Sequence, residues 1–165
     1  ALELLADILA TGRSSRLYDR LVRKAELAND VEVFPYLLEN AGVIGIFVVG
    51  NPDSSIEKLD QLIEKEVAAI REKGVTPEEL QKAKNQKIAQ LANAFSTMQS
   101  RAENLAYFHV MFGDTNEINR QLERIESVTA EDIQRVARKY LTPNGVNILR
   151  YPVAKNEPQP AARTQ

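Results

Sequence analysis

The sequence predicts an α+β domain: a mostly antiparallel sheet flanked by helices. Three observations carry that reading. Apolar residues recur every three or four positions through most of the chain, the spacing of helices that bury one face. Two β-rich runs, Val31 to Glu39 and Val43 to Val49, follow each other closely enough to form an antiparallel hairpin. The order helix, helix, strand, strand, four helices, strand does not alternate as a parallel α/β sheet would.

The first helix runs from Ala1 to about Ala10, and Gly12 suits the left-handed residue that ends it. A second helix spans roughly Ser15 to Ala28, with Leu17, Leu21 and Leu27 on its apolar face and Ser14 or Ser15 as its cap. Arg13, Arg16, Arg20, Arg23 and Lys24 make it basic, and Asp19 to Arg23 has the spacing of a helical ion pair. In the hairpin, Pro35 suits an edge strand or bulge, and Asn40 to Gly42 turns the chain. The second strand is apolar on both faces, as in a central strand covered by helices on one side and by helices or a partner on the other.

Ser54 and Glu57 have capping-box spacing, and Ile56, Leu59, Ile63, Val67 and Ile70 form the stripe of the next helix, which Gly74 stops. Thr76, Pro77 and Glu79 supply a cap, a first-turn proline and an N3 glutamate. They open a long helix to about Met111, with a bend expected around Ser96 to Ser100. Glu117 to about Ile125 is a shorter helix, and Thr129 to Asp132 caps the last. Pro143 to Gly145 turns into a third strand, Val146 to Tyr151. Residues 1–153 therefore form the domain, and 154–165 read as a disordered tail without apolar periodicity. Three strands are few for so many helical residues. Either the sheet is small, or its first strand or strands, preceding Ala1, are missing; the open edge that a missing strand leaves recruits other chains, including a second copy.

Composition excludes more than it suggests. A net charge of -2 does not mark a general nucleic-acid binder, and no run approaches a membrane span. One histidine, His109, and no cysteine leave no donor set for a hydrolytic metal. His109 reads as a helix residue with one ring nitrogen satisfied by a neighbour. Glu64, Glu66, Glu78 and Glu79 read as solvated or helix-start carboxylates. Gly42, Gly45 and Gly50 lack phosphate-loop spacing, and Gly45 marks a close backbone approach or a bulge.

Gly12-Arg-Ser-Ser-Arg-Leu-Tyr18, Arg20-Leu-Val22 and Leu27-Ala28 resemble the C-terminal, non-zinc-binding repeat of the M16 zinc peptidases, the pitrilysin, insulysin and mitochondrial processing peptidase group. Arg101-Ala-Glu103, Phe112-Gly-Asp114, Val128-Thr-Ala-Glu-Asp132 and Ala137-Arg-Lys-Tyr-Leu-Thr-Pro143 extend the likeness over roughly residues 1–153. The resemblance implies an α+β unit that pairs with a second domain as a clamshell around a peptide. The active half carries His-x-x-Glu-His and a further glutamate, which this chain lacks. No cofactor is therefore expected here, and zinc is expected in a partner domain or subunit. Many such repeats contact substrate through an arginine and a tyrosine seven residues apart. Here those positions hold Val22 and Asn29, which leaves Asn29 with Arg20 or Arg23 as the substrate-binding candidates.

The resemblance implies the non-catalytic half of a zinc endopeptidase, lining the peptide chamber and helping to bind an extended peptide. The sequence does not fix its compartment, since proteins of this type occur in the bacterial periplasm or cell envelope, in the cytoplasm and in organelles, the bacterial compartments being the expectation here. The alternatives are an assembly subunit of the same fold without a peptidase role, and a helical binding module that uses the Arg13 to Lys24 face.

Overall fold

The structure is a computed structural model that describes residues 1–38 and 41–151. Helix α1 (Leu2–Ala10) is apolar around most of its circumference, with Leu4, Leu5, Ala6, Ile8 and Leu9 buried. A helix of that pattern belongs inside, and α1 lies against the sheet on one side and against α3 (Pro77–Asn93) and α6 (Ala130–Tyr140) on the other. Gly12, at φ +84°, takes the chain out of α1.

The second helix is tighter in extent and wider in turn than periodicity suggests. It is a π-helix, Tyr18–Lys24, closed at its end by Ala25 N–H donating to the Arg20 carbonyl five residues back. It does not reach Ala28, because Glu26 turns left-handed at φ +51° and Ala28 already begins a strand. No serine side chain caps it. The Ser15 hydroxyl donates backward to the Gly12 carbonyl (2.7 Å), in a tight turn that its own N–H also closes, and Ser14 Oγ accepts from Lys82.

Strands β1 (Ala28–Leu37) and β2 (Gly42–Gly50) form an antiparallel two-stranded sheet, with an irregularity between Ala28 and Asp30 that leaves Asn29 without a partner. Asn40 of the expected turn lies outside the described residues. Leu38 N–H donates to the Ala41 carbonyl, so 38/41 is a hydrogen-bonded pair. Alternation along an antiparallel ladder then makes 36/43, 34/45 and 32/47 bonded pairs, and Pro35 falls where an N–H would point away from β2. The missing donor costs the hairpin nothing, as expected for proline on a strand edge. By the same alternation, Ile44, Ile46 and Val48 turn their backbone groups to the free side of β2.

Val31 and Val33 are buried against the core, and Ile44, Ile46 and Val48 pack beside them. The opposite face of β2 is open: Val43 is 64% exposed and Phe47 60%. Among the described residues β2 pairs only with β1, and just one of its faces is covered.

Helix α2 (Ile56–Lys73) is capped one residue later than expected, by Ser55, whose hydroxyl accepts from Lys58 N–H. Helix α3 begins with the capping box of Thr76 and Glu79. The long helix breaks into two. Thr97 and Ser100 form a second capping box that starts α4 (Met98–Phe112), while Arg101 Nε and Asn104 Nδ2 satisfy the carbonyls of Phe95 and Ala94. The expected helix from Glu117 is also divided, into a 3-10 turn (Thr115–Ile118) and α5 (Gln121–Glu126), with Glu117 held by Arg120 and Arg124. Helix α6 starts at the Thr129–Asp132 capping box. The predicted third strand does not form: Val146 to Tyr151 pairs with neither β1 nor β2 and is tied to α2 by Arg150 on Asp60 (2.6 Å). β-branched residues become a strand only beside another strand. The expected tail, 154–165, lies outside the described residues. The domain is α+β, with a small antiparallel sheet flanked by helices.

Candidate functional site

Two features meet where the chain passes from the π-helix into β1: a row of basic side chains and the open face of the hairpin. Arg16 is committed to the fold. Its guanidinium grips the Glu79 carboxylate through two bonds (2.6 and 2.7 Å) and reaches the Gly74 carbonyl (3.2 Å). Burial pushes the Glu79 carboxyl up, but bonds from Arg16 and from Thr76 N–H, with the Arg16 charge, outweigh it and hold the group below its ordinary value.

The three residues expected to contact substrate face different ways. Arg20 is half-buried and turns toward Glu66 of α2, with Nε 3.8 Å from its carboxylate. Arg23 is 60% exposed and pairs with Asp19 (3.2 Å), which also takes Lys24 (2.5 Å). Asn29 is exposed at the irregularity that opens β1. Val22 packs against the core. No hydrogen bond or ion pair joins Arg20 or Arg23 to Asn29 among the described residues. The expected i,i+4 pair of Asp19 and Arg23 is present.

The apolar face that β2 offers a partner was legible in the sequence, but the β1 residues that share it beside Asn29 were not singled out. Asp30, Glu32, Phe34 and Tyr36 on β1 stand opposite Val49, Phe47, Gly45 and Val43 on β2. The Phe34 ring lies across Gly45, where an added Cβ would come within 2.5 Å of it. The period-two alternation Asp30, Val31, Glu32, Val33 was the available signal, since it puts the valines on one face and the acids on the other.

No group of three histidine, aspartate, glutamate or cysteine side chains that could hold a metal occurs among the described residues. His109 sits on an exposed part of α4, and among the described residues it makes no side-chain hydrogen bond, so the neighbour expected to satisfy it is not there. The donors among the described residues do not fit zinc. An open groove of about 380 Å³ between α3 and α5 is lined by Ile88, Leu91, Phe95, Ile118 and Leu122, which offer no acid, base or nucleophile.

The family model for the peptidase M16 inactive domain matches residues 1–87, more than half of the chain. The chain belongs to that family. The matched stretch contains the π-helix, both strands of the hairpin and the Arg16–Glu79 clasp. The M16 chain is 25% identical over 141 residues to an uncharacterized zinc protease of Streptomyces coelicolor, covering 86% of this chain and 30% of that protein. It is 29% identical over 146 residues to the zinc protease PqqE of Helicobacter pylori, covering 85% and 31%. It therefore spans about a third of the length of these relatives. An inactive peptidase domain from Bordetella parapertussis superposes with a TM-score of 0.74 at 26% identity, over 87% of this chain and 78% of that one. As an M16 inactive domain the chain is the non-catalytic unit, which agrees with its lack of a metal-ligand cluster among the described residues. None of its described helices is long and apolar enough to cross a membrane.

Proposed function

We propose that this domain is the half of a zinc-dependent M16 endopeptidase that walls the peptide chamber and helps to hold an extended substrate, while another domain or subunit holds the zinc. One observation carries the reading. Within the segment that matches the inactive domain, the hairpin leaves one face uncovered and aromatic, with Asn29 at its entrance. The free side of β2 adds unpaired N–H and carbonyl groups along Ile44 to Val48, and an extended peptide satisfies such groups as an added strand. Asn29 contributes an amide at the mouth of this face. Arg20 and Arg23 reach a bound peptide only by leaving Glu66 and Asp19.

Photo-crosslinking tests this in the complete parent protein or complex. A photoreactive phenylalanine at position 47 is expected to capture an unstructured peptide, and one at Lys65 on the exposed side of α2 is not. Equal capture at both positions, or none at 47, overturns the chamber-wall reading. Chelator-sensitive cleavage of unstructured peptides by this chain alone overturns its non-catalytic part.

A further inference from the structure

We infer that the open face of the β1–β2 hairpin selects a basic side chain in the bound peptide, with Glu32 and Asp30 receiving the cation and Phe34, Tyr36, Val43 and Phe47 receiving apolar neighbours. This rests on the reading of the hairpin as a peptide surface and adds the chemistry that the surface prefers.

The inference starts from an unmatched charge. Asp30 and Glu32 stand two residues apart on one face of β1, about 7 Å from each other by strand geometry. Among the described residues neither takes part in an ion pair. Asp30 uses one oxygen to accept Val31 N–H (2.9 Å), and Glu32 makes no side-chain hydrogen bond. The basic residues of the preceding helix do not serve them, because Arg23 and Lys24 are both spent on Asp19, Arg20 turns to Glu66 and Arg16 to Glu79.

Their setting strengthens the field they present. Val49 stands directly across from Asp30 and Phe47 across from Glu32, so both acids border apolar surface. When a ligand covers that surface and displaces water, a carboxylate attracts a cation more strongly than it does in bulk solvent. Beyond Glu32 the face is apolar: Phe34 lies over Gly45, then Tyr36 stands across from Val43. A strand repeats on one side every two residues. A peptide strand added on the free side of β2 lies two strand spacings, about 10 Å, from β1, so a long basic side chain reaches Glu32 across Phe47 while shorter side chains meet Phe47 and Val43.

Other occupants fit less well. A second copy docked by two-fold symmetry places this face against itself, which brings acids toward acids whenever the acidic ends meet. An anionic lipid surface or a nucleic acid is repelled by the same two groups. A cationic, partly apolar segment is attracted by both halves of the face.

The test measures anisotropy of dye-labelled peptides on the full 165-residue chain at low ionic strength. The probes are ten-residue unstructured peptides with leucines at alternate positions and either two arginines or two glutamates at one end. The arginine peptide is expected to bind at least tenfold tighter than the glutamate peptide, and salt is expected to narrow the gap. Glu32→Lys is expected to invert the order, Glu32→Gln to leave an intermediate preference, and Phe47→Ser to weaken both peptides by a similar factor. These side chains are exposed, and unchanged circular dichroism checks the fold. Equal binding of the two probes, or indifference to Glu32→Lys, overturns the inference and leaves the peptide-surface reading standing. Binding of neither probe overturns both.

Discussion

At the scale of single residues, the Arg16–Glu79 clasp decides how the first quarter of the chain is held. Glu79 closes the capping box of α3 through Thr76 N–H (2.8 Å) and anchors Arg16, so one carboxylate serves a helix start and a long-range tie. Its pKa is depressed in the folded state. The stabilisation is therefore complete above the unfolded value, near 4.5, and is lost as pH falls through the lower folded value. Glu79→Gln is expected to cost about 2 kcal/mol at pH 7 in urea unfolding, the scale of charge-assisted bonds, with the deficit shrinking in acid. Asp7 has the opposite sign. Burial raises its pKa, opposed by the Thr11 hydroxyl bond, and it sits in the last turn of α1, where a negative charge meets the wrong end of the helix dipole. The folded state therefore holds the proton more tightly, and the penalty appears as pH rises from about 3.8 through the raised folded value. Asp7→Asn keeps an oxygen for Thr11 and is expected to gain about 1 kcal/mol at pH 7, a gain that disappears below the unfolded pKa in thermal melts across pH.

Among the elements, the passage from π-helix to β1 is the most constrained. Leu27 N–H returns to the Leu21 carbonyl and Asn51 Nδ2 donates to the Glu26 carbonyl (2.6 Å), which holds Glu26 in the left-handed region. That conformation is unfavourable for any residue with a Cβ, by about 1–2 kcal/mol. Glu26→Gly is expected to stabilise the fold by up to about 1 kcal/mol once the extra freedom of glycine in the unfolded chain is subtracted. A rise in the urea midpoint at constant slope checks it, and a fall would show that Glu26 makes a contact worth more than the strain. The division between α3 and α4 has the same local character. Thr97 begins a new helix because its hydroxyl and that of Ser100 satisfy first-turn N–H groups, and continuing α3 would forgo those bonds. The bend expected from serine and threonine in the sequence lies at the right place, and the capping box makes it a break.

For the molecule as a whole, α1 is the centre on which sheet and helices converge: Leu5, Leu9, Leu17, Leu21, Ile70 and Ile133 are all fully enclosed around it. Much apolar surface nonetheless stays outside, on the open hairpin face and along Val146, Ile148, Leu149 and Tyr151. Exposed apolar surface on this scale marks an interaction region. The hairpin part of that surface is the one the proposed peptide contact uses. Zinc titration of the chain followed by calorimetry is expected to show no submicromolar site, because no three suitable donors converge among the described residues. A tightly held equivalent of zinc would contradict that geometry.

Local and compositional features are legible from the residues alone. The antiparallel hairpin, the capping boxes at Thr76 and Thr129, the left-handed Gly12 and the shortage of metal donors all follow from residues near one another or from simple counts. Whatever depends on distant neighbours emerges only in the fold. The basic residues of one helix face looked equivalent in sequence, yet Arg16 is claimed by Glu79, 63 positions away, Arg20 by Glu66, and Arg23 by its own helix. Among the described residues, Val146 to Tyr151 has the composition of a strand without a partner to make it one, and β2 is apolar on both faces while only one is covered. Side-chain type is written residue by residue, but burial and pairing belong to whichever surface arrives from elsewhere in the chain, and that surface is known only once the chain has folded.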